Sequence, residues 1–180
     1  MEKITSTVDS EKLKVSSAYA LGLGGLIPFW TIPFIGQIAV WWDEETALAY
    51  GEWIVLYAAI IASFMSGGRW AFRVLQPDTR PASVFGGFLG AVGPALVAWV
   101  IAAAPAEVLG TPFGLQARFF CLAVILLVQL FQDGSQVGPG GVPPWYFRLR
   151  TMLAVGATTP ILLPMLILWV MWIFTGGGGA

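Results

Sequence analysis

Two charged residues fall inside otherwise apolar stretches, Glu52 and Arg118, and their types and placement are the ones that could do chemistry in this chain. If their helices begin near Thr46 and Pro112, both lie about six residues, or roughly 9 Å, inside the same end of the bundle. An isolated charge near mid-membrane costs about 2.5–3.5 kcal/mol on insertion scales, so charges at matching depth on neighbouring helices are expected to pair. Two readings stand. The pair is a structural salt bridge, or Glu52 is the carboxylate of a proton- or ion-linked transport site.

A second group gathers at the opposite end. Arg69 and Trp70 close the second apolar run, Asp133 closes the fourth, and Trp145, Arg148 and Arg150 precede the fifth. Planar guanidinium forks bind phosphate and carboxylate, so these six residues form a candidate contact site for an anionic lipid headgroup or a partner's acidic surface. The alternative is that the arginines only set topology and snorkel to lipid phosphates. Glu52 cannot reach Arg69 along their shared helix, because seventeen positions separate them by about 25 Å.

Other chemistry is scarce. The 180 residues include no His and one Cys, so His-based acid/base catalysis, thiolate metal clusters and intramolecular disulfides are excluded. Cys121, in an apolar run, is expected to behave as a small hydrophobe. No Ser/His, Cys/His or metal-ligand constellation suggests an enzyme, and no pattern specifies a cofactor. A net charge of −1 with no basic tract leaves no footprint for nucleic acid.

The elements that position these groups are membrane spans. Only 11% of residues are charged, against about 25% in soluble domains, and 57% are apolar. Uncharged runs extend over Val15–Trp42, Trp53–Gly68, Pro81–Ala106, Phe119–Gln132 and Thr151–Ala180. Crossing a hydrocarbon core takes about 20 helical residues. The predicted fold is therefore an all-α, polytopic membrane bundle of five transmembrane helices, near 17–42, 46–68, 82–104, 112–131 and 151–174. A tail over 1–16 precedes this single domain, and a flexible Gly-rich tail over 175–180 follows it.

Eight of the nine Lys and Arg then fall on one side, leaving only Arg118 opposite with the acidic Asp43-Glu44-Glu45 loop. The positive-inside rule places the N-terminus in the cytoplasm and the C-terminus outside. Trp41, Trp42, Trp70, Trp145 and Tyr146 are expected to anchor the span ends at headgroup level. The first apolar run is too long for a signal-peptide core, and the acidic tail before it is unlike a transit peptide, so a bacterial inner membrane fits best.

Five spans do not divide into two equal repeats, which argues against the inverted-repeat transporter plan. Pro28, Pro33, Pro94, Pro160 and Pro164 are expected to kink spans or free backbone carbonyls. Small residues at four-residue spacing, Ala58/Ala62/Ser66 and Gly86/Gly90, mark faces for close helix packing, within this chain or against another subunit.

Three stretches carry a family resemblance: Leu21-Gly-Leu-Gly-Gly-Leu-Ile-Pro-Phe29, Tyr57-Ala-Ala-Ile-Ile-Ala-Ser-Phe-Met-Ser-Gly-Gly-Arg-Trp70 and Pro144-Trp-Tyr-Phe-Arg-Leu-Arg150. With Gly93-Pro-Ala-Leu-Val-Ala-Trp99 and Asp133, the set resembles the transmembrane protein 69-like family, a domain-of-unknown-function group of small polytopic inner-membrane proteins of bacteria and mitochondria. The resemblance covers roughly Ala18 to Pro164. Glu52 and Arg118 depart from the family's pattern, so no role for them is inherited. The resemblance implies the topology and leaves the activity unassigned. Of the functions open to such a bundle, a structural or accessory component of a larger membrane complex is favoured over a small transporter or channel using Glu52. Its expected partners are the bilayer and one or more membrane subunits. Contact with lipid, quinone or carotenoid on the aromatic faces is compatible with that role.

Overall fold

In the computed structural model, residues 2–39, 43–75, 81–105, 107–108, 111–136 and 142–174 are described. Six helices form among the described residues: α1 (Glu2–Gly24), α2 (Ile27–Ala39), α3 (Glu44–Leu75), α4 (Pro81–Ala103), α5 (Leu115–Gly134) and α6 (Pro144–Phe174). Five stretches are long and apolar enough to cross a membrane: Asp9–Gly36, Glu45–Leu75, Val84–Ala103, Leu115–Gly134 and Pro144–Ile167. The expected five-span, all-α bundle is what the chain adopts. A small hairpin that the periodicity did not announce joins α4 to α5, with β1 (Glu107–Val108) antiparallel to β2 (Thr111–Pro112) and Glu107 opposite Pro112.

The first span is two helices. Gly24-Gly25 lowers the cost of leaving the helix, and Pro28 has no N–H to give the Gly24 carbonyl. The chain tightens there through bonds from Gly25 N to the Leu21 and Gly22 carbonyls and from Leu26 N to Leu23 O. A carbonyl released inside a membrane must find another donor. A neighbouring carbonyl at the break, Gly25 O, has such a donor in the Tyr57 hydroxyl of α3, at 2.8 Å. The break also drives Phe29 into the core, fully buried and edge-on to Tyr57 with ring centroids 5.0 Å apart. Leu26, at the break, lies over Gly156 of α6, where an added Cβ would come within 2.5 Å of Leu26 Cδ1. Pro33, Pro94, Pro160 and Pro164 lie within continuous helix, so the Gly25–Leu26 step alone divides a span among the described residues.

Helix ends follow local chemistry. Pro81 and Pro144 open α4 and α6, a position where proline's missing N–H costs nothing. Asp43 caps α3: its carboxylate accepts the Thr46 hydroxyl at 2.6 Å, the Thr46 N–H at 3.0 Å and the Glu45 N–H at 3.3 Å. Those bonds, the Thr46 hydroxyl foremost, hold the carboxyl below its ordinary range. α6 starts ahead of the expected 151, so Trp145, Arg148 and Arg150 belong to its first turns and not to a loop. The segment expected as a tail over 1–16 is helical from Glu2 onward, continuous with the first span. Trp41, Trp42, Arg80 and the tail over 175–180 lie outside the described residues.

Packing centres on α3. It touches α2, α4 and α5; α5 leans on α6, and α6 returns to α2 and α1. The core joins Phe29, Ile54, Val55, Met65, Leu122, Leu126 and Ile161 with Ala58, Ala59, Ala62, Ala123 and Ala157. Water drives no helix association in hydrocarbon, so such small residues help by letting backbones approach closely. Large apolar side chains such as Leu56, Phe131, Trp99 and Trp169 face outward, which suits a surface solvated by lipid tails.

Candidate functional site

α5 carries one stripe of buried residues: Arg118, Leu122, Leu126, Gln129 and Asp133. Their spacing repeats the helix period, so all five face the α3–α6 side of the bundle. The stripe is apolar in the middle and polar at both ends. Each polar end meets a partner on another helix.

At the end near Trp70 and Trp145, the Asp133 carboxylate joins two guanidinium groups. Arg150 of α6 donates from Nε to Oδ2 at 2.7 Å. Arg69 of α3 places Nε 3.2 Å from Oδ1, an ion-pair distance whose N–H direction makes no hydrogen bond. The second arm of Arg150, Nη2, donates to the Met65 carbonyl at 2.8 Å, and its guanidinium carbon lies 5.5 Å from the Tyr146 ring centre. One turn away, Gln129 Nε2 donates to Ala62 O at 3.1 Å and Ser66 Oγ at 3.3 Å. The small Ala62 and Ser66 make that approach to the α3 backbone feasible.

Burial divides the six residues expected together here. Arg69, Asp133 and Arg150 are 5%, 1% and 3% exposed, so the two arginines are held inside the bundle and do not snorkel. Arg148 is exposed, Trp70 is half-exposed and Trp145 is partly buried. Aromatic rings surround the buried trio: Tyr146 packs edge-on to Phe72 at 5.2 Å, and Trp70 is 6.0 Å from Phe88. Gly68 makes room for the Tyr146 hydroxyl, which would sit 2.9 Å from an added Cβ.

At the other end, Arg118 and Glu52 meet directly. Arg118 Nη1 donates to Glu52 Oε2 at 2.8 Å and Oε1 at 3.1 Å, while Nε reaches back to the Phe113 carbonyl at 3.3 Å. The two sides are unequal, with the Arg118 side chain 6% exposed and that of Glu52 51% exposed. The carboxylate therefore lies at the bundle's rim, and the cation is the member held within. A positive charge in the first turn of α5 opposes that helix's dipole, which gives Glu52 a second reason to be there.

Two polar joints escape a reading by residue type. Gln129 is fully buried, yet only its place on the Arg118–Asp133 stripe marks it out. The Tyr57 hydroxyl to Gly25 bond has no signal beyond a proline that frees a carbonyl somewhere nearby.

These joints also explain why the three quoted stretches occur together. The first two meet at Tyr57 and Gly25, and the second and third meet where Arg150 reaches Met65. Comparison with known proteins agrees with the resemblance they carry. The chain is 37% identical over 84 residues to Transmembrane protein 69 of Xenopus tropicalis, an alignment covering 46% of this chain and 31% of that relative. The chain thus matches about a third of the length of that curated relative. No solved structure matches. With five helices long and apolar enough to span, the chain is a multi-pass membrane protein, and residues 15–167, most of it, match the family described as Protein of unknown function (DUF3429), so the protein belongs to that family.

Proposed function

We propose that the protein is a structural, non-enzymatic accessory component that packs into a larger complex of the bacterial inner membrane, with its N-terminus cytoplasmic and its C-terminus outside. One observation carries the accessory role. The two small-residue faces have different fates: Ala58, Ala62 and Ser66 are buried inside the bundle, whereas a Cβ added at Gly86, Gly90 or Gly93 of α4 would meet nothing within 4 Å. Glycine inside a helix costs about 1 kcal/mol relative to alanine. Three on one face, with no described helix of this chain against them, make sense if another helix packs there. The orientation rests on the distribution of Lys and Arg.

Mild-detergent purification of the tagged protein from native membranes should recover it with a stoichiometric membrane partner. Gly86→Leu with Gly90→Leu should remove that partner while leaving the protein folded, since the added side chains point into open space. Recovery of the wild type alone, or of the double variant with its partner intact, would refute the proposal. For orientation, alkaline phosphatase fused after Ala180 should be active, and an inactive fusion reverses the assignment.

A further inference from the structure

The buried trio does not balance its charge. Arg69 and Arg150 bring two positive charges, and among the described residues Asp133 is the acid paired with either. All three are at least nine-tenths buried. One positive charge is left over in a setting where an uncompensated ion is strongly penalised.

The hydrogen bonds show where the excess resides. Arg150 uses Nε on Asp133 and Nη2 on the Met65 carbonyl. Arg69 has no such set: its Nε lies near Asp133 without a hydrogen bond, and its Nη1 is buried with no acceptor among the described residues. An arginine has only donors, so an orphaned arm asks for an oxygen. Water would fill the valence and leave the charge. An anion answers both.

The setting narrows the anion. The trio lies level with Trp70, Trp145 and Tyr146, rings that favour the headgroup zone, and Arg148 is exposed on the same first turns of α6. At that depth the abundant anionic oxygens are those of phosphate diesters, and a guanidinium matches their geometry. We propose that Arg69 is the core of a binding site for the phosphate oxyanion of a net-negative phospholipid on the side of the membrane where α3 ends. The lipid neutralises the excess charge and seals the joint between α3, α5 and α6. This site is independent of the partner face on α4.

The test uses the full-length protein, delipidated in neutral detergent, with phosphatidylglycerol, phosphatidylcholine or inorganic phosphate added at matched phosphate concentration. Phosphatidylglycerol at about ten times its dissociation constant should raise the thermal midpoint by roughly 3–6 °C, and phosphatidylcholine by clearly less. Arg69→Gln should abolish the difference between the two lipids. Arg69→Lys, which keeps the charge and loses the fork, should reduce it and serves as the probe if the Gln variant does not fold. Lys12→Gln, at an exposed cation on α1 outside this group, should leave the difference in place.

Equal effects of the two lipids, an unchanged difference in Arg69→Gln or, where only Arg69→Lys folds, in that variant, or an equal loss in Lys12→Gln would each overturn the site. Stabilisation by inorganic phosphate matching that by phosphatidylglycerol would assign the oxyanion to free phosphate and overturn the lipid as its source.

Discussion

Asp133→Asn should be the most damaging single substitution in the chain, lowering stability by about 3–5 kcal/mol, the range seen when one partner of a buried ion pair is removed. Asn is nearly isosteric, so the loss is electrostatic and not a packing defect. It keeps one acceptor, and two buried guanidinium groups face each other without a counter-charge. Against a total stability of about 5–15 kcal/mol for a typical domain, much of the protein would fail to fold. Unfolding in mixed detergent, followed by tryptophan fluorescence, measures it. Replacing all three members by apolar residues of similar volume should recover most of the loss, because desolvation of the ions then disappears along with their attraction. An Asn variant within about 1 kcal/mol of wild type would mean that Asp133 is not what neutralises the arginines.

Glu52→Gln comes next, with an expected loss of about 2–3 kcal/mol, set by the cost of a lone charge in the membrane and reduced because Glu52 is half exposed. Arg118 would keep only the Phe113 carbonyl. Adding Arg118→Met should restore much of the stability, and the cycle of the two singles and the double isolates their coupling. The same variant bears on transport. A carboxylate already engaged by both oxygens to Arg118 is a helix clasp, so proteoliposomes of wild type and Glu52→Gln should show equal, background ion flux. Flux that vanishes with this substitution would overturn the accessory role.

What the sequence revealed depended on whether the governing force was local. Five apolar runs follow from hydrophobicity alone, and the Glu52–Arg118 meeting follows from depth along two helices, since isolated charges there are costly. The break at Gly25 was half visible: Gly24, Gly25 and Pro28 announce weakness, but the bond that ties the break to the bundle comes from Tyr57, far along the chain, to the Gly25 carbonyl. The contact cluster was legible as a neighbourhood and not as a geometry. Arg148 and Arg150 look alike by type and level, yet 100° of rotation per residue sends one to solvent and the other to Asp133. That difference depends on where α6 begins, and Pro144 sets the start earlier than hydropathy suggests, because amphipathic Trp145, Tyr146 and the two arginines dilute the apolar signal. Gln129 was hidden for a related reason: amides are common at span ends, and only the stripe it shares with Arg118 and Asp133 distinguishes it.

The two ionic clasps lie at opposite ends of the same helices, about 25 Å apart along α3 from Glu52 to Arg69 and about 22 Å along α5 from Arg118 to Asp133. Between them, among the described residues, the buried side chains are apolar apart from Ser66, Gln129 and Thr158. The distance from clasp to clasp is shorter than the roughly 30 Å hydrocarbon thickness of an average bilayer, and α3, with 32 residues and about 48 Å of length, is far longer. The two clasps thus fix the register of α3 against α5 at both ends, so these helices do not slide past each other to match a bilayer. Any mismatch with the hydrocarbon thickness then falls to tilt of the whole bundle and to deformation of the surrounding lipid, at a cost of fractions of a kcal/mol for each ångström.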